Sequence, residues 1–210
     1  LQEKEWFAER RPDIADAPNS AARKRLIESL RTDAPKLFAE FQDGLRQADG
    51  ESHLMRHSGL YPLCGRGDSN LYSVFAERMR NVLGIAGRVG AVLPSGIATG
   101  DTTKMFFQNL VETKSLVSLL SFFEIRLIFL DTDSREPCSL FTAGSGKSLI
   151  AENAEFVWFA RSVNELSVFE RRFTLSASDI ALIKPNTKTC PVFQTRRDAE
   201  ITKRIYRQLP

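Results

Sequence analysis

The chain has 210 residues, 42% of them hydrophobic, enough for one large domain or one domain with an appended piece around a proper core; this excludes a disordered polypeptide. No apolar run approaches the roughly 20 residues that cross a bilayer, and the opening Leu1-Gln2-Glu3-Lys4-Glu5-Trp6 has no signal-peptide hydrophobic region, so the chain reads as cytoplasmic with no membrane partner. The net charge of +3 is uneven: Arg171 to Pro210 holds nine Lys or Arg against three acids, a local +6 that leaves −3 for the rest, and suits either a phosphate-facing surface or a solvated helix face.

The first sixty residues read as helices. Ala22, Leu26, Ile27 and Leu30 recur at helical spacing. Asp33-Ala34-Pro35 then supplies a cap and an early proline before Leu37, Phe38, Phe41, Leu45 and Ala48. Gly50 to Gly67 is expected to be a loop, interrupted by Gly59, Pro62 and Gly65. Leu71, Val74, Phe75, Met79, Val82 and Leu83 give one more amphipathic helix, stopped by Gly84 and Gly87. Arg88 to Leu93 is a short apolar run of the kind found in a parallel strand covered on both faces, ended by Pro94-Ser95-Gly96. Asp101 to Lys114 returns to helical spacing through Phe106, Phe107, Leu110 and Val111, and helix, strand, loop, helix is the rhythm of a doubly wound α/β sheet.

Strands are expected at Leu116 to Phe123, Arg126 to Leu130 and Cys138 to Thr142, and their closeness without an intervening helix suggests an antiparallel pair at the sheet edge. Glu155 to Ala160 reads as a further strand. Ser176-Ala177-Ser178-Asp179 has capping-box spacing before a short helix through Ile180, Leu182 and Ile183 that Pro185 closes. The last helix runs from about Arg197 to Gln208, with Ala199, Ile205, Tyr206 and Leu209 expected to be buried.

The motif inventory excludes more than it supports. Cys64, Cys138 and Cys190 lie far apart without Cys-x-x-Cys spacing, which argues against a disulfide framework or a metal site. Gly144-Ser145-Gly146-Lys147-Ser148 is like a phosphate-binding loop, but Phe141 stands where the full pattern needs glycine, and a turn after a strand is the better reading. His53 and His57, at i and i+4, have no third ligand patterned with them and read as loop or surface residues. Phe122, Phe123, Phe129 and Phe141 fit either a stacking platform for an extruded base or ordinary core. No dinucleotide fingerprint, His-Glu-x-x-His or serine elbow occurs.

Several blocks together resemble one family. Gly65 to Tyr72 with Phe75 and Glu77, Gly87-Arg88-Val89-Gly90 leading into Leu93-Pro94-Ser95-Gly96-Ile97, and Asp101-Thr102-Thr103-Lys104 with Phe106-Phe107 are similar to the helix and fifth strand of adenine-specific DNA methyltransferases of the large restriction-modification type. Pro185 to Thr189, with Pro191, Phe193, Arg196, Asp198, Ala199, Ile201 and Ile205-Tyr206, resembles the segment leading from that family's catalytic domain toward DNA recognition.

The resemblance implies an α/β fold: the rear half of a Rossmann-like methyltransferase sheet, flanked by an N-terminal helical segment and a basic C-terminal helical segment. It divides the chain into a helical segment and loop at 1–67, a core of strands five to seven at 68–165, and a basic linker toward target recognition at 166–210. It also implies S-adenosylmethionine as cofactor, double-stranded DNA as partner, and methyl transfer to the exocyclic amine of a flipped adenine.

The family's cofactor loop, Phe-x-Gly-x-Gly, and its catalytic tetrapeptide, Asn or Asp followed by Pro-Pro and an aromatic, do not occur in the sequence. Leu1 to Trp6 looks like the stretch that follows the tetrapeptide, so the catalytic residues are expected ahead of Leu1 and the chain alone is expected to be inactive. The secondary parts of the site carried by resemblance are Asn70, Leu71 and Tyr72 beside the cofactor adenine, and Pro94, Ser95, Phe129 and Asp131 around the target base. The basic end offers Arg171, Arg172, Lys188, Arg196 and Arg197 to DNA phosphates. Leu130-Asp131-Thr132-Asp133 lacks the family's proline and histidine, and Gly100 stands where an acid is commoner, which leaves Phe129 between stacking and core. Half a sheet would leave an open margin, for which a homodimer or the N-terminal half of the same polypeptide is the expected cover. The rival reading is a non-enzymatic DNA-binding or assembly module of a defence complex.

Overall fold

The computed structural model describes residues 1–67, 70–124, 137–147 and 150–208. The chain divides into two compact units, 1–58 and 59–210. Residues 166–208 thus belong to the same unit as the sheet, and the division comes at Ser58, ahead of the loop.

The first unit is helical: α1 (Glu3–Ala8), α2 (Pro12–Ala15), α3 (Ser20–Asp33) and α4 (Pro35–His57). Asn19 starts α3 by accepting a hydrogen bond from the Ala22 N–H at 2.9 Å, and Pro35 starts α4, where its missing N–H goes unneeded. Phe7, Ile14, Ile27, Leu30 and Phe41 form the core, with Leu26, Leu37, Phe38 and Leu45 packed around it. Trp6 meets Phe7 edge to face at 4.7 Å, which gives the apolar part of the Leu1 to Trp6 stretch a structural role. The loop expected from Gly50 begins only after His57. One interior glycine costs a helix about 1 kcal/mol, which the helix formers Glu51, Leu54, Met55 and Arg56 beyond it offset. Gly59, at φ +74°, then ends α4 in the left-handed conformation that favours glycine.

The second unit is α/β around a mixed five-stranded open sheet. Its described elements are α5 (Leu71–Asn81), β1 (Arg88–Pro94), α6 (Gly96–Thr99), α7 (Lys104–Glu112), β2 (Leu116–Phe122), β3 (Cys138–Gly144), β4 (Asn153–Ala160), β5 (Phe173–Ser176), α8 (Ala177–Ile183) and α9 (Arg196–Gln208). The strand order is β1-β3-β2-β4-β5. β3 is antiparallel to both β1 and β2, β4 is parallel to β2, and β5 is antiparallel to β4, so β1, β2 and β4 run in one direction. Their carboxyl ends share one margin of the sheet.

The pair formed by β2 and β3 is antiparallel, but it lies inside the sheet, because β3 also pairs with β1 along Arg88↔Gly144 to Pro94↔Cys138. Among the described residues β1 is the edge strand: its one neighbour there, β3, is antiparallel, and Arg88, Gly90 and Val92 are exposed. An apolar run has the same letters whether covered on both faces or waiting for a neighbour, so composition could not separate the two. The expected strand 126–130 lies outside the described residues.

Helix faces decide the core. α7 buries Phe106, Phe107 and Leu110, with Phe106 6.3 Å from the Phe141 ring. α5 buries Ser73, Val74, Ala76 and Glu77, whereas Leu71, Phe75 and Val82 of its expected apolar stripe stand 60%, 62% and 62% exposed. α8 has the capping box: the Asp179 N–H donates to Ser176 Oγ at 3.1 Å and the Ser176 N–H to Asp179 Oδ2 at 3.1 Å. α9 buries Ala199 and Lys203; Ile205 and Tyr206, expected inside, are exposed. Hydrophobic letters at the right spacing mark a face without showing that anything covers it. Among the described residues no helix is long and apolar enough to cross a membrane.

Candidate functional site at the carboxyl margin of the sheet

In open α/β sheets, ligands settle outside the carboxyl ends of the parallel strands. Three segments leave that margin here: Pro94-Ser95 after β1, Phe123 after β2 and Arg161 after β4. Ser95, Ser121 and Ser139 are buried beneath it. Ser95 Oγ lies 2.7 Å from Ser121 Oγ, and Ser139 Oγ donates to Leu93 O at 3.2 Å. The Ser95 N–H donates to Pro137 O at 2.9 Å. These bonds lock the turn leaving β1 to the strands beside it, which gives Pro94 and Ser95 a fixed backbone.

α6 continues from that turn, and three bonds hold it. Thr103 Oγ1 donates to Gly96 O at 2.7 Å, the Gly100 N–H to the same oxygen at 2.8 Å, and the Cys190 N–H to Ala98 O at 2.9 Å. Tyr72 approaches from α5: its hydroxyl lies 3.2 Å from where a side chain at Gly96 would begin, so glycine lets the ring sit over the turn. The structure therefore brings Tyr72, expected beside the cofactor, up to the turn that Pro94 and Ser95 begin.

Asn70 and Leu71 are exposed at the start of α5, and the Asn70 side chain makes no capping bond. Phe129 and Asp131 lie outside the described residues.

Glu77 is the site-forming residue that the resemblance touched without giving it a role. Only 1% exposed, it accepts the Leu63 N–H at 3.1 Å and the Cys64 N–H at 2.8 Å, so α5 pins the loop leading to Asn70. Burial, reinforced by Glu77, pushes the Cys64 thiol well above the ordinary cysteine range, burial does the same to Cys190, and it also raises Cys138. All three cysteines are buried, and as neutral thiols they are poor nucleophiles.

The basic residues fall into two groups. Arg172 makes a two-pronged pair with Glu155, its Nε 2.7 Å from Oε1, and also donates to Leu166 O. Arg171 donates to Trp158 O at 3.1 Å and Phe159 O at 2.9 Å while pairing with Glu165 at 3.0 Å. Both guanidinium groups thus hold the sheet to the turns after it, which sequence position could not reveal. Lys188 is exposed and 3.6 Å from Glu112. Arg196 lies 4.5 Å over the Phe169 ring, and Arg197 is exposed on α9.

Remaining candidates resolve simply. Gly144 to Lys147 is a turn after β3, fixed by Ser145 Oγ donating to Ile85 O at 2.5 Å. His53 and His57 are exposed with rings 4.5 Å apart on α4, and among the described residues no group of three or more His, Cys, Asp or Glu could hold a metal ion. Phe122 and Phe141 are core, whereas Phe123 is 51% exposed.

No protein-family model matches the chain. No curated protein matches it significantly either.

Proposed function

We propose that the chain is the rear part of the catalytic domain of an S-adenosylmethionine-dependent, adenine-specific DNA methyltransferase from a restriction-modification or phage-defence system. In this reading the cofactor loop and the catalytic tetrapeptide are encoded ahead of Leu1. The observation that carries it is the bare flank of the second unit: the open edge of β1, with Val92 exposed, beside the exposed Leu71, Phe75 and Val82 of α5. A strand with one neighbour among the described residues and a helix with an exposed apolar stripe together form half of a packing layer. A Rossmann-like sheet continued past β1 by preceding residues would cover both.

The mixed sheet is compatible with this, since doubly wound sheets commonly carry antiparallel strands. Asn70, Leu71 and Tyr72 would border the adenine of S-adenosylmethionine, which when bound supplies an electrophilic methyl group. Pro94 and Ser95 would form the fixed back wall of the target-base pocket. The exposed Arg196 and Arg197 would meet phosphates of double-stranded DNA. Without the tetrapeptide nothing orients the adenine amine, so the chain alone is inactive.

The test compares the chain with the longer polypeptide that includes the preceding residues, using labelled S-adenosylmethionine and DNA. The longer polypeptide transfers methyl groups to adenine, and Tyr72→Ala in it lowers the rate, while the chain alone is silent and binds the cofactor no tighter than millimolar by calorimetry. Transfer by the chain alone overturns the reading. Preceding residues that lack both motifs favour a non-enzymatic DNA-binding or assembly module instead, for which the exposed Arg197, Ile201, Arg204 and Ile205 face of α9 speaks.

A further inference from the structure

Two exposed phenylalanines sit at the carboxyl margin, each under an arginine. Phe123 is 51% exposed and Phe169 65% exposed. The Arg161 guanidinium lies 5.9 Å from the Phe123 ring, and that of Arg196 4.5 Å from the Phe169 ring. Both rings are costly to leave in water, and neither is on a loose segment. The Phe123 N–H donates to Ala160 O at 2.9 Å, which ties it to the end of β4. Phe169 lies in a 3₁₀ turn, Phe169–Arg171, within the connection from β4 to β5 at the same margin.

Between them the backbone is strained. Phe159 adopts φ +59°, a region that bulky residues avoid, and the pairing of β2 with β4 shifts register there. Arg171 holds this bulge through its bonds to Trp158 O and Phe159 O. The bulge exposes Phe159 and brings Arg161 out to Phe123. Beyond Phe169 the margin opens into a groove of about 560 Å³ lined by Phe169, Glu170, Thr195, Arg196, Arg197 and Glu200. Among the described residues the Arg161 guanidinium has no ion-pair partner. Glu200 is already paired with Lys203 at 2.7 Å, which limits its opposition to the arginines.

From this we infer that the margin from Phe123 to Arg197 binds unpaired nucleotides of a nucleic-acid strand, with bases stacked on Phe123 and Phe169 and phosphates beside Arg161, Arg196 and Arg197. Rigid exposed aromatics interleaved with cations are what single-stranded recognition requires, because every base offers a π-face and every linkage a negative charge. A duplex keeps its bases stacked on each other and cannot use the rings. The inference goes beyond the methyltransferase reading, and its test, made on the chain without cofactor, can fail while methyl transfer by the longer polypeptide stands.

A fluorescent oligothymidine of about 20 nucleotides is titrated with the chain and followed by anisotropy, alongside a duplex of equal length. The oligothymidine binds more tightly than the duplex. Phe123→Ala and Phe169→Ala each weaken it about fivefold or more, Arg161→Gln lowers the salt slope by about one, and Glu170→Gln tightens binding. Lys4→Gln, on the first unit, serves as the control and changes nothing. Thermal melts of the two phenylalanine variants stay at the wild-type midpoint, as exposed positions require, so weaker binding is not lost folding. Failure of the wild type to bind the oligothymidine, tighter binding of the duplex, or unaltered binding when Phe123→Ala and Phe169→Ala are combined in one variant would each overturn the inference.

Discussion

Gly100 has ordinary backbone angles, φ −74° and ψ 147°, so its identity is set by space and not by conformation. A Cβ there would stand 2.8 Å from Gly96 O and 3.0 Å from Thr103 Oγ1, the two atoms that bond across the α6 turn. Gly100→Ala is therefore expected to cost about 1–3 kcal/mol, seen as a lower midpoint in thermal unfolding; an unchanged midpoint would mean that the turn relaxes freely. The resemblance flagged Gly100 as a departure from an acid, but only geometry shows that no side chain fits. Glu77 makes the complementary case. Glu77→Gln leaves one carbonyl oxygen for two backbone donors, Leu63 and Cys64, and turns an NH₂ toward the second. A loss of about 1–3 kcal/mol in chemical denaturation is expected, with the loop before Asn70 losing hydrogen-exchange protection first. Equal protection in variant and wild type would show that the loop holds by other means.

At the scale of elements, α8 shows what local chemistry dictates. Its capping box was legible because all its partners lie within four residues, and the same Asp179 also receives Arg207 of α9 at 2.9 Å. Burial opposes the charged form of Asp179, yet the Ser176 bonds, Lys203 and Arg207 outweigh it and hold the carboxyl below the ordinary aspartate range. A carboxyl depressed in the folded state contributes stability above its unfolded value, about 3.9, and loses it as pH falls through the folded one. Wild-type stability should therefore fall more steeply than that of Asp179→Asn as pH drops below about 4, as denaturation midpoints across pH would record. Parallel curves would contradict this. β5 was not foreseen: four residues, Phe173–Ser176, give alternation too few repeats to register, and pairing with β4 makes the strand. The helices α3, α5 and α7 were legible from periodicity, but the uncovered face of α5 was not, since the same spacing describes a stripe with or without a partner.

For the whole molecule, sheet order was the least legible feature, because β3 enters between β1 and β2 through pairings that no local residue encodes. At the carboxyl margin, Tyr72, Pro94 and Ser95 were named from motif blocks, whereas Arg161 belongs to no motif and reaches Phe123 only past the bulge at Phe159, and Phe169 meets Arg196 from a distant helix. The same topology makes β1 an edge, and its consequence is measurable. Natural edge strands are blunted by lysine or proline, but between Arg88 and Pro94 β1 offers only Val89, Gly90, Ala91, Val92 and Leu93, with Phe75 of α5 exposed as well. A second copy can satisfy that edge by strand addition, and so can a preceding segment of a longer polypeptide. The chain alone is thus expected to show a mass in light scattering that rises with concentration, and Val92→Lys should hold it near the monomer by burying a charge in any such pairing. The longer polypeptide, with the edge covered from within, should stay monomeric without the substitution. A wild-type chain that remains monomeric at high concentration would mean that the twist of the free edge already protects it, and the case for a covering strand would then have to rest on the bare face of α5.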